Sequence, residues 1–308
     1  MRLDDYDPGD DIRDLGQGSG GGFGGGGGGG MGGLLIGLLP MLLGRKMGCG
    51  TILLLGAVAF FVFGGGMNML SSGGGGAPGE QGQTSATGGN VACDTAAERF
   101  ACNVFGSTHG VWENYFASQG KRYTRPTLNF YNQSQTSGCG AAQSAMGPFY
   151  CPADQGIYLD TDFFAELDQK FNAAGDAAQA YVVAHEVGHH IQTLLGISDQ
   201  VRNAQGRASR EEGNAIQVRM ELQADCFAGV WARNARTRDG SAVIEAGDVA
   251  EAMRAAHAIG DDTLMRGAGQ SPVESMFTHG SSEQRQQWLD RGLRSGDPAQ
   301  CNTFNAAL

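Results

Sequence analysis

The peptide Tyr181-Val182-Val183-Ala184-His185-Glu186-Val187-Gly188-His189-His190 constrains this chain more than any other stretch. It holds H-E-x-x-H within a run of helical character. Residues four apart on a helix share a face, with Cβ atoms ~5–6 Å apart. His185 and His189 can therefore offer two imidazole nitrogens to one cation, and Glu186 can border that ion without ligating it. The apolar flank 181–184 marks the helix as buried. Two imidazoles and a carboxylate are costly to bury there unless a metal or strong partners compensate.

A catalytic Zn²⁺ needs a third protein ligand and an open position. The extended metzincin pattern would put glycine at 192 and histidine at 195, but Gln192 and Leu195 stand there, which excludes that class. His190 points about 100° round the helix from His189 and is a poor third ligand. A second helical stretch offers Glu221-Leu222-Gln223-Ala224-Asp225. Glu221 and Asp225 again share a face. Glu221 is the expected third ligand, and Asp225 the residue that orients a ligating histidine through its free ring N–H. Met220, Leu222, Ala224, Cys226, Phe227 and Val230 around them argue against a fully solvated helix. Each motif is weak alone; the pair is specific.

H-E-x-x-H followed by a helical E-x-x-x-D resembles the gluzincin class of metallopeptidases. More narrowly, the chain resembles the neutral zinc metallopeptidase family of bacterial membrane-anchored proteins. The matching stretches are CGAAQSAMGPFYCPADQGIYLD, AYVVAHEVGHHIQ, ELQADCFAGVWA and THGSSEQRQQWLDRGL, spread over residues 91–308. The last is similar to a motif of membrane metalloproteases related to prenyl-protein processing, in which a histidine and an arginine follow the third ligand. That likeness implies that His279 and Arg285 reach the active site. Those relatives usually carry proline after the histidine, where this chain has Gly280. The resemblance implies one Zn²⁺ per chain, a peptide or protein substrate, Glu186 as general base and His279 as a donor to the developing oxyanion.

Organisation follows from glycine and charge. Of 52 glycines, 31 lie in the first 90 residues. Residues 1–46, acidic at first and then glycine-rich, are expected to be a disordered cytoplasmic arm. Residues 47–70 carry no charge and include the apolar run TILLLGAVAFFVF, long enough for a single transmembrane helix. Arg45 and Lys46 just before it, with Glu80 the nearest charge after it, place the N-terminus inside. Residues 71–90 read as a flexible linker and 91–308 as the metallopeptidase domain. This makes a single-pass protein of a bacterial cell membrane, in contact with lipid through that helix, with its catalytic domain outside the cytoplasm. Six cysteines in the outer part (Cys93, Cys102, Cys139, Cys151, Cys226 and Cys301) suit disulfides in an oxidising compartment, with Cys139–Cys151 the favoured pair. The net charge of −11 argues against a nucleic-acid partner.

Within the domain, 95–118 is compatible with a helix, whereas 127–131, 148–150 and 157–159 have strand-like composition. Helices are expected at 176–195, 210–236, 248–259 and 281–294, the last opened by a capping box of Ser281 and Gln284. A small sheet followed by several helices is α+β. Either 148–150 or 157–159 could present an edge to an extended substrate. His109 and His257 read as structural. Two other readings are open: a zinc amidohydrolase of deformylase type with Cys226 as third ligand, and a non-catalytic membrane-tethered binding or scaffold protein with a structural zinc.

Overall fold

The computed structural model describes residues 1–3, 6, 9, 11–17, 92–143 and 147–306. Four strands form the main sheet in the order β1 (Ile12–Gln17), β2 (Thr127–Asn132), β6 (Gly156–Leu159) and β5 (Phe149–Cys151). The first three run parallel, and β5 is antiparallel to β6. β3 (Ser134–Ser137) and β4 (Gly140–Gln143) form a separate hairpin, which the Cys139–Cys151 disulfide ties to β5.

Among the described residues there are eight α-helices. They are α1 (Ala96–Ser118), α2 (Asp162–Gln169), α3 (Asp176–Leu194), α4 (Ile197–Gln205), α5 (Arg210–Asn234), α6 (Asp248–Ala258), α7 (Asp261–Gly267) and α8 (Ser282–Ser295). Thr95, Ser209 and Ser281 each open their helix with a capping box, satisfying backbone N–H groups that would otherwise lack partners. α3 is buried along nearly its whole length because α1, α5, α6 and β5 pack round it. That is why its sequence is apolar on almost every side.

Three glycine contacts set two crossings of α5, one with α3 and one with α8. A Cβ on Gly188 of α3 would lie 3.0 Å from the Ala224 carbonyl oxygen of α5. A Cβ on Gly292 of α8 would lie 2.0 Å from the Cys226 carbonyl, and one on Gly229 2.3 Å from the Leu289 carbonyl. Backbone therefore meets backbone at both crossings; the α5–α8 separation admits no larger residue, and at Gly188 a Cβ would require the neighbour to give by a few tenths of an ångström. The first crossing lies within both metal motifs.

The α+β class with a small sheet and several helices is present, but two parts of the expected architecture are corrected. The start of the chain is not a disordered arm. Leu3 is buried in the core, β1 pairs with β2 in the register Ile12↔Leu128, and the Leu128 N–H donates to the Asp11 carbonyl at 2.9 Å. The Met1 ammonium sits 2.6 Å from Asp176 at the first turn of α3. Acid-rich composition suggested disorder because partners so distant in sequence cannot be read locally. The single transmembrane helix is the second correction. Among the described residues no helix is long and apolar enough to cross a membrane. Residues 47–70 themselves, like the rest of 18–91, lie outside the described residues.

Candidate metal centre

α3 and α5 each contribute one face. His185 Nε2, His189 Nε2 and Glu221 Oε2 converge, with separations of 3.1 Å between the imidazole nitrogens, 3.2 Å from His185 to Glu221 and 3.3 Å from His189 to Glu221. A tetrahedral ion with bonds of ~2.0–2.1 Å has ligand–ligand edges of ~3.3–3.4 Å. The triangle has the size of such a site.

The hydrogen-bond directions make the fit chemical as well as metric. Asp225 Oδ1 lies 2.8 Å from His185 Nδ1, and Gln192 Oε1 lies 2.8 Å from His189 Nδ1. Both acceptors require N–H at Nδ1, which turns the Nε2 lone pairs toward each other and toward a carboxylate oxygen. Three lone pairs at this spacing repel unless a cation lies among them. Electrostatics agrees. Burial opposes charging of both imidazoles, yet Asp225 and Glu221 raise the pKa of His185, and Glu221 carries His189 up to about 9. The Glu221 carboxyl lies well below its ordinary range: burial pushes it up, but His189 and His185 outweigh burial. Protons and a divalent ion would compete for the same three atoms.

Partners hold each ligand. Gln217, one turn before Glu221, donates from Nε2 to Glu221 Oε1 at 2.7 Å. Asp225 is fully buried and accepts from Arg285 in two parallel bonds of 2.9 and 3.0 Å, and from the Tyr181 hydroxyl at 2.5 Å. Burial works to raise its pKa, but Arg285 and then His185 bring it down to about 2. The predicted pair Asp225 and Arg285 thus lies together behind His185, with Arg285 buried rather than open to a substrate.

Glu186 is buried beside the triangle without belonging to it. Burial raises its pKa, offset in part by His189 and His185. His279 stands on the loop before α8, its side chain about half exposed at 47 %. It is close enough for its charge to act on both Glu186 and Glu221. Asp261 fixes that loop: its Oδ2 accepts the backbone N–H of Thr278, His279 and Gly280 at 2.6, 2.7 and 3.1 Å. Its Oδ1 faces His279 Nδ1 at 3.3 Å. Gly280 has φ +98°, which proline cannot adopt, so this loop departs from the proline-bearing pattern.

The remaining histidines lie elsewhere. His190 faces away from the triangle, toward the Tyr150 hydroxyl at 3.1 Å and the Thr124 carbonyl at 2.7 Å, and burial lowers its pKa to about 4. His109 is buried against Phe105 and Tyr123, and His257 is exposed. All six predicted cysteines are bonded, as Cys93–Cys102, Cys139–Cys151 and Cys226–Cys301. Cys226 is therefore no thiolate ligand, which removes the deformylase reading. Of the two strands considered as an edge, β6 is paired on both sides and β5 forms the border of the sheet.

Tyr181, Gln192, Gln217, Gln223 and Asp261 were missed in the sequence. Tyr181 and Gln217 carry a signal in retrospect. Tyr181, His185 and His189 step by four along α3, as Gln217, Glu221 and Asp225 do along α5, so each motif is part of a longer polar stripe. Asp261 carries none, because its role depends on a loop 17 to 19 residues away.

A family model described as "Putative neutral zinc metallopeptidase" matches residues 1–304. Uncharacterized protein YpfJ of Escherichia coli (strain K12) is 49 % identical over 212 residues, 69 % of this chain and 73 % of that protein. Uncharacterized protein Rv2575 of Mycobacterium tuberculosis (strain H37Rv) is 41 % identical over 230 residues, 70 % of this chain and 75 % of its own length. No solved structure matches the chain.

Proposed function

This chain belongs to the neutral zinc metallopeptidase family, and from that premise we propose that it is a zinc-dependent endopeptidase in which Glu186 is the general base. The observation that carries the reading is a set of three protein ligand atoms, with no fourth beside them among the described residues, and a buried carboxylate of raised pKa next to them. A structural zinc is typically closed by a fourth protein ligand and has no use for an adjacent base. This weighs against the scaffold alternative.

His185, His189 and Glu221 would hold Zn²⁺. The ion, when bound, supplies acidification of water and polarisation of the scissile carbonyl. Glu186 takes the proton of the attacking water and delivers it to the leaving amine; its raised pKa brings it nearer the value an acid–base catalyst needs at neutral pH. His279, held by Asp261, donates a hydrogen bond to the oxyanion from the nitrogen that Asp261 leaves free. An extended peptide lies along β5, the sheet border, where main-chain pairing tolerates varied sequence. Three disulfides support a working place in an oxidising compartment outside the cytoplasm.

The test is hydrolysis of a mixed peptide library by the full chain, with Glu186→Gln alongside. Zinc content equal to that of the unaltered protein, with cleavage lost, is the expected outcome. Equal cleavage by both proteins would remove Glu186 from the chemistry. No cleavage by either would favour the scaffold.

A further inference from the structure

The polar stripe on α3 continues past the ligands into a chain of amides. Gln192 Oε1 faces His189 Nδ1 at 2.8 Å, while Gln192 Nε2 donates to the Met220 carbonyl at 2.7 Å and to Gln223 Oε1 at 3.1 Å. Gln223 Nε2 in turn donates to the Cys301 carbonyl at 2.9 Å. Both glutamines are buried. Cys301 belongs to the C-terminal tail and is bonded to Cys226, one residue past Asp225 on α5. The tail is further clamped by the Thr303 hydroxyl on the Arg219 carbonyl at 2.6 Å and by Arg219 on the Thr303 and Ala306 carbonyls.

Two backbone carbonyls fix the polarity of this chain, because a carbonyl can only accept. Cys301 obliges Gln223 to present its NH₂ to the tail and its oxygen inward. Met220 and Gln223 then oblige Gln192 to spend its NH₂ on them and turn its oxygen to His189. His189 must donate from Nδ1, so its Nε2 lone pair points at the ligand triangle. A flipped Gln192 would set its oxygen against two acceptors in a dry site and offer N–H to His189 Nδ1. That would move the ring proton to Nε2 and close the nitrogen to a metal.

We infer that the C-terminal tail is a working part of the metal site: through Gln223 and Gln192, the disulfide-tethered Cys301 carbonyl sets the tautomer and ring orientation of His189. Gln192 and Gln223 are positioning residues, not ligands. The inference rests on the metal-binding part of the function proposed above and is independent of peptide hydrolysis.

The test uses the full chain and Zn²⁺ affinity measured by competition with a chromophoric chelator. Gln192→Met and Gln223→Met keep side-chain length and remove the amide. Each is expected to weaken Zn²⁺ binding by ~10–100-fold. The double variant is expected to bind no more weakly than Gln192→Met alone, since the two act in series. In the zinc-loaded protein the His189 Nδ1–H, seen by ¹⁵N NMR, exchanges slowly with water in the unaltered chain and fast in both variants. Ser107→Ala removes a buried hydrogen bond to Trp231 that has no path to the ligands, and serves as the control: stability falls while affinity holds. Cys226→Ser/Cys301→Ser keeps the Cys301-position carbonyl but frees the tail, and is expected to weaken binding in the same direction. Unchanged affinity in Gln223→Met, or losses that multiply in the double variant, would overturn the relay while leaving the metal site intact. If the unaltered chain bound no Zn²⁺, the metal reading itself would fall, and the relay with it.

Discussion

Replacing Arg285 with methionine tests the electrostatic frame behind His185 most directly. The change keeps most of the stem and removes a guanidinium that makes two bonds to Asp225, one of 2.9 Å to the Tyr181 hydroxyl and one of 3.2 Å to the Ile259 carbonyl. The Arg285 and Asp225 side chains are 4 % and 0 % exposed, so solvent screens the pair very little. Truncating one partner of a buried pair strands the other charge, at a cost of ~3–5 kcal/mol. That is a large fraction of the ~5–15 kcal/mol that holds a domain folded. With a urea slope of ~2–3 kcal/mol/M for a domain of this size, the midpoint should fall by ~1–2.5 M. The assay is urea unfolding of the oxidised, chelator-treated protein, followed by the fluorescence of Trp112, Trp231 and Trp288, so that metal binding does not enter. Arg285→Lys, which cannot bond in two parallel lines, should lose about half as much. Arg285→Met with Asp225→Leu removes both charges and should recover ~1–4 kcal/mol of the loss, while Zn²⁺ affinity falls because His185 has lost its acceptor. A loss below ~1 kcal/mol in Arg285→Met would show the pair behaving like a surface ion pair and refute the reasoning.

Other expectations follow from the same geometry. Gly292→Ala on α8 should cost ~3 kcal/mol, since its methyl would fall 2.0 Å from the Cys226 carbonyl, whereas Gly213→Ala in the first turn of α5 meets nothing within 4 Å and should stabilise by ~0.5–1 kcal/mol; thermal unfolding reads both signs. His109 is buried neutral with its pKa lowered to about 3, by burial first and Arg125 second. The unfolded chain takes up a proton below its ordinary ~6.5 that the folded chain refuses, so stability drains away as pH falls from there toward 3, by ~1.4 kcal/mol per unit. His109→Gln should flatten urea midpoints measured between pH 6 and 4, and an unchanged slope would contradict the assignment. His279→Ala should lower kcat by ~10²–10³ with zinc content unchanged. Asp261→Asn should lower it by less, and the double variant should be no worse than His279→Ala, as expected when Asp261 acts only through His279.

Much of the candidate ligand set was legible because helical spacing is a strict rule. A spacing of four from His185 to His189, and of four from Glu221 to Asp225, puts each pair on one face whatever the tertiary structure does. The long helices were legible for the same reason, and Ser281 with Gln284 announced the start of α8. What escaped notice depends on contacts distant in sequence. β1 reads as part of a disordered arm because six acidic residues and many glycines dominate its neighbourhood, and its partner β2 begins only at Thr127. The β3–β4 hairpin lacks the alternation of a half-buried strand: Ala141, Ala142 and several polar residues are held instead by the Cys139–Cys151 bond. Gln192 and Gln223 look like ordinary solvated helix residues, since nothing local shows that the opposing surface is another helix.

Gly188 shows why two motifs 36 residues apart must be read together. Inside H-E-x-x-H, a glycine between the two histidines costs helix stability, roughly 1 kcal/mol relative to alanine, and by itself suggests nothing about a metal. Against Ala224 it becomes a requirement. The Gly188 backbone meets the Ala224 backbone, and from that contact Glu221 lies one turn back and Asp225 one residue on. His185 and His189 lie one turn back and one residue on from Gly188. The crossing therefore aligns a donor pair with an acceptor pair, so that one carboxylate reaches the lone-pair side of both rings and the other reaches the N–H side of His185. A larger residue at 188 would separate the helices by a few tenths of an ångström or more. Ligand geometry at bonds of ~2.0–2.1 Å tolerates only about 0.2 Å. Gly188→Ala is thus expected to leave the helices folded and to weaken Zn²⁺ binding far more than it lowers the melting temperature. Equal effects on both, compared by chelator competition and by thermal unfolding of the zinc-free protein, would show that the glycine serves packing alone.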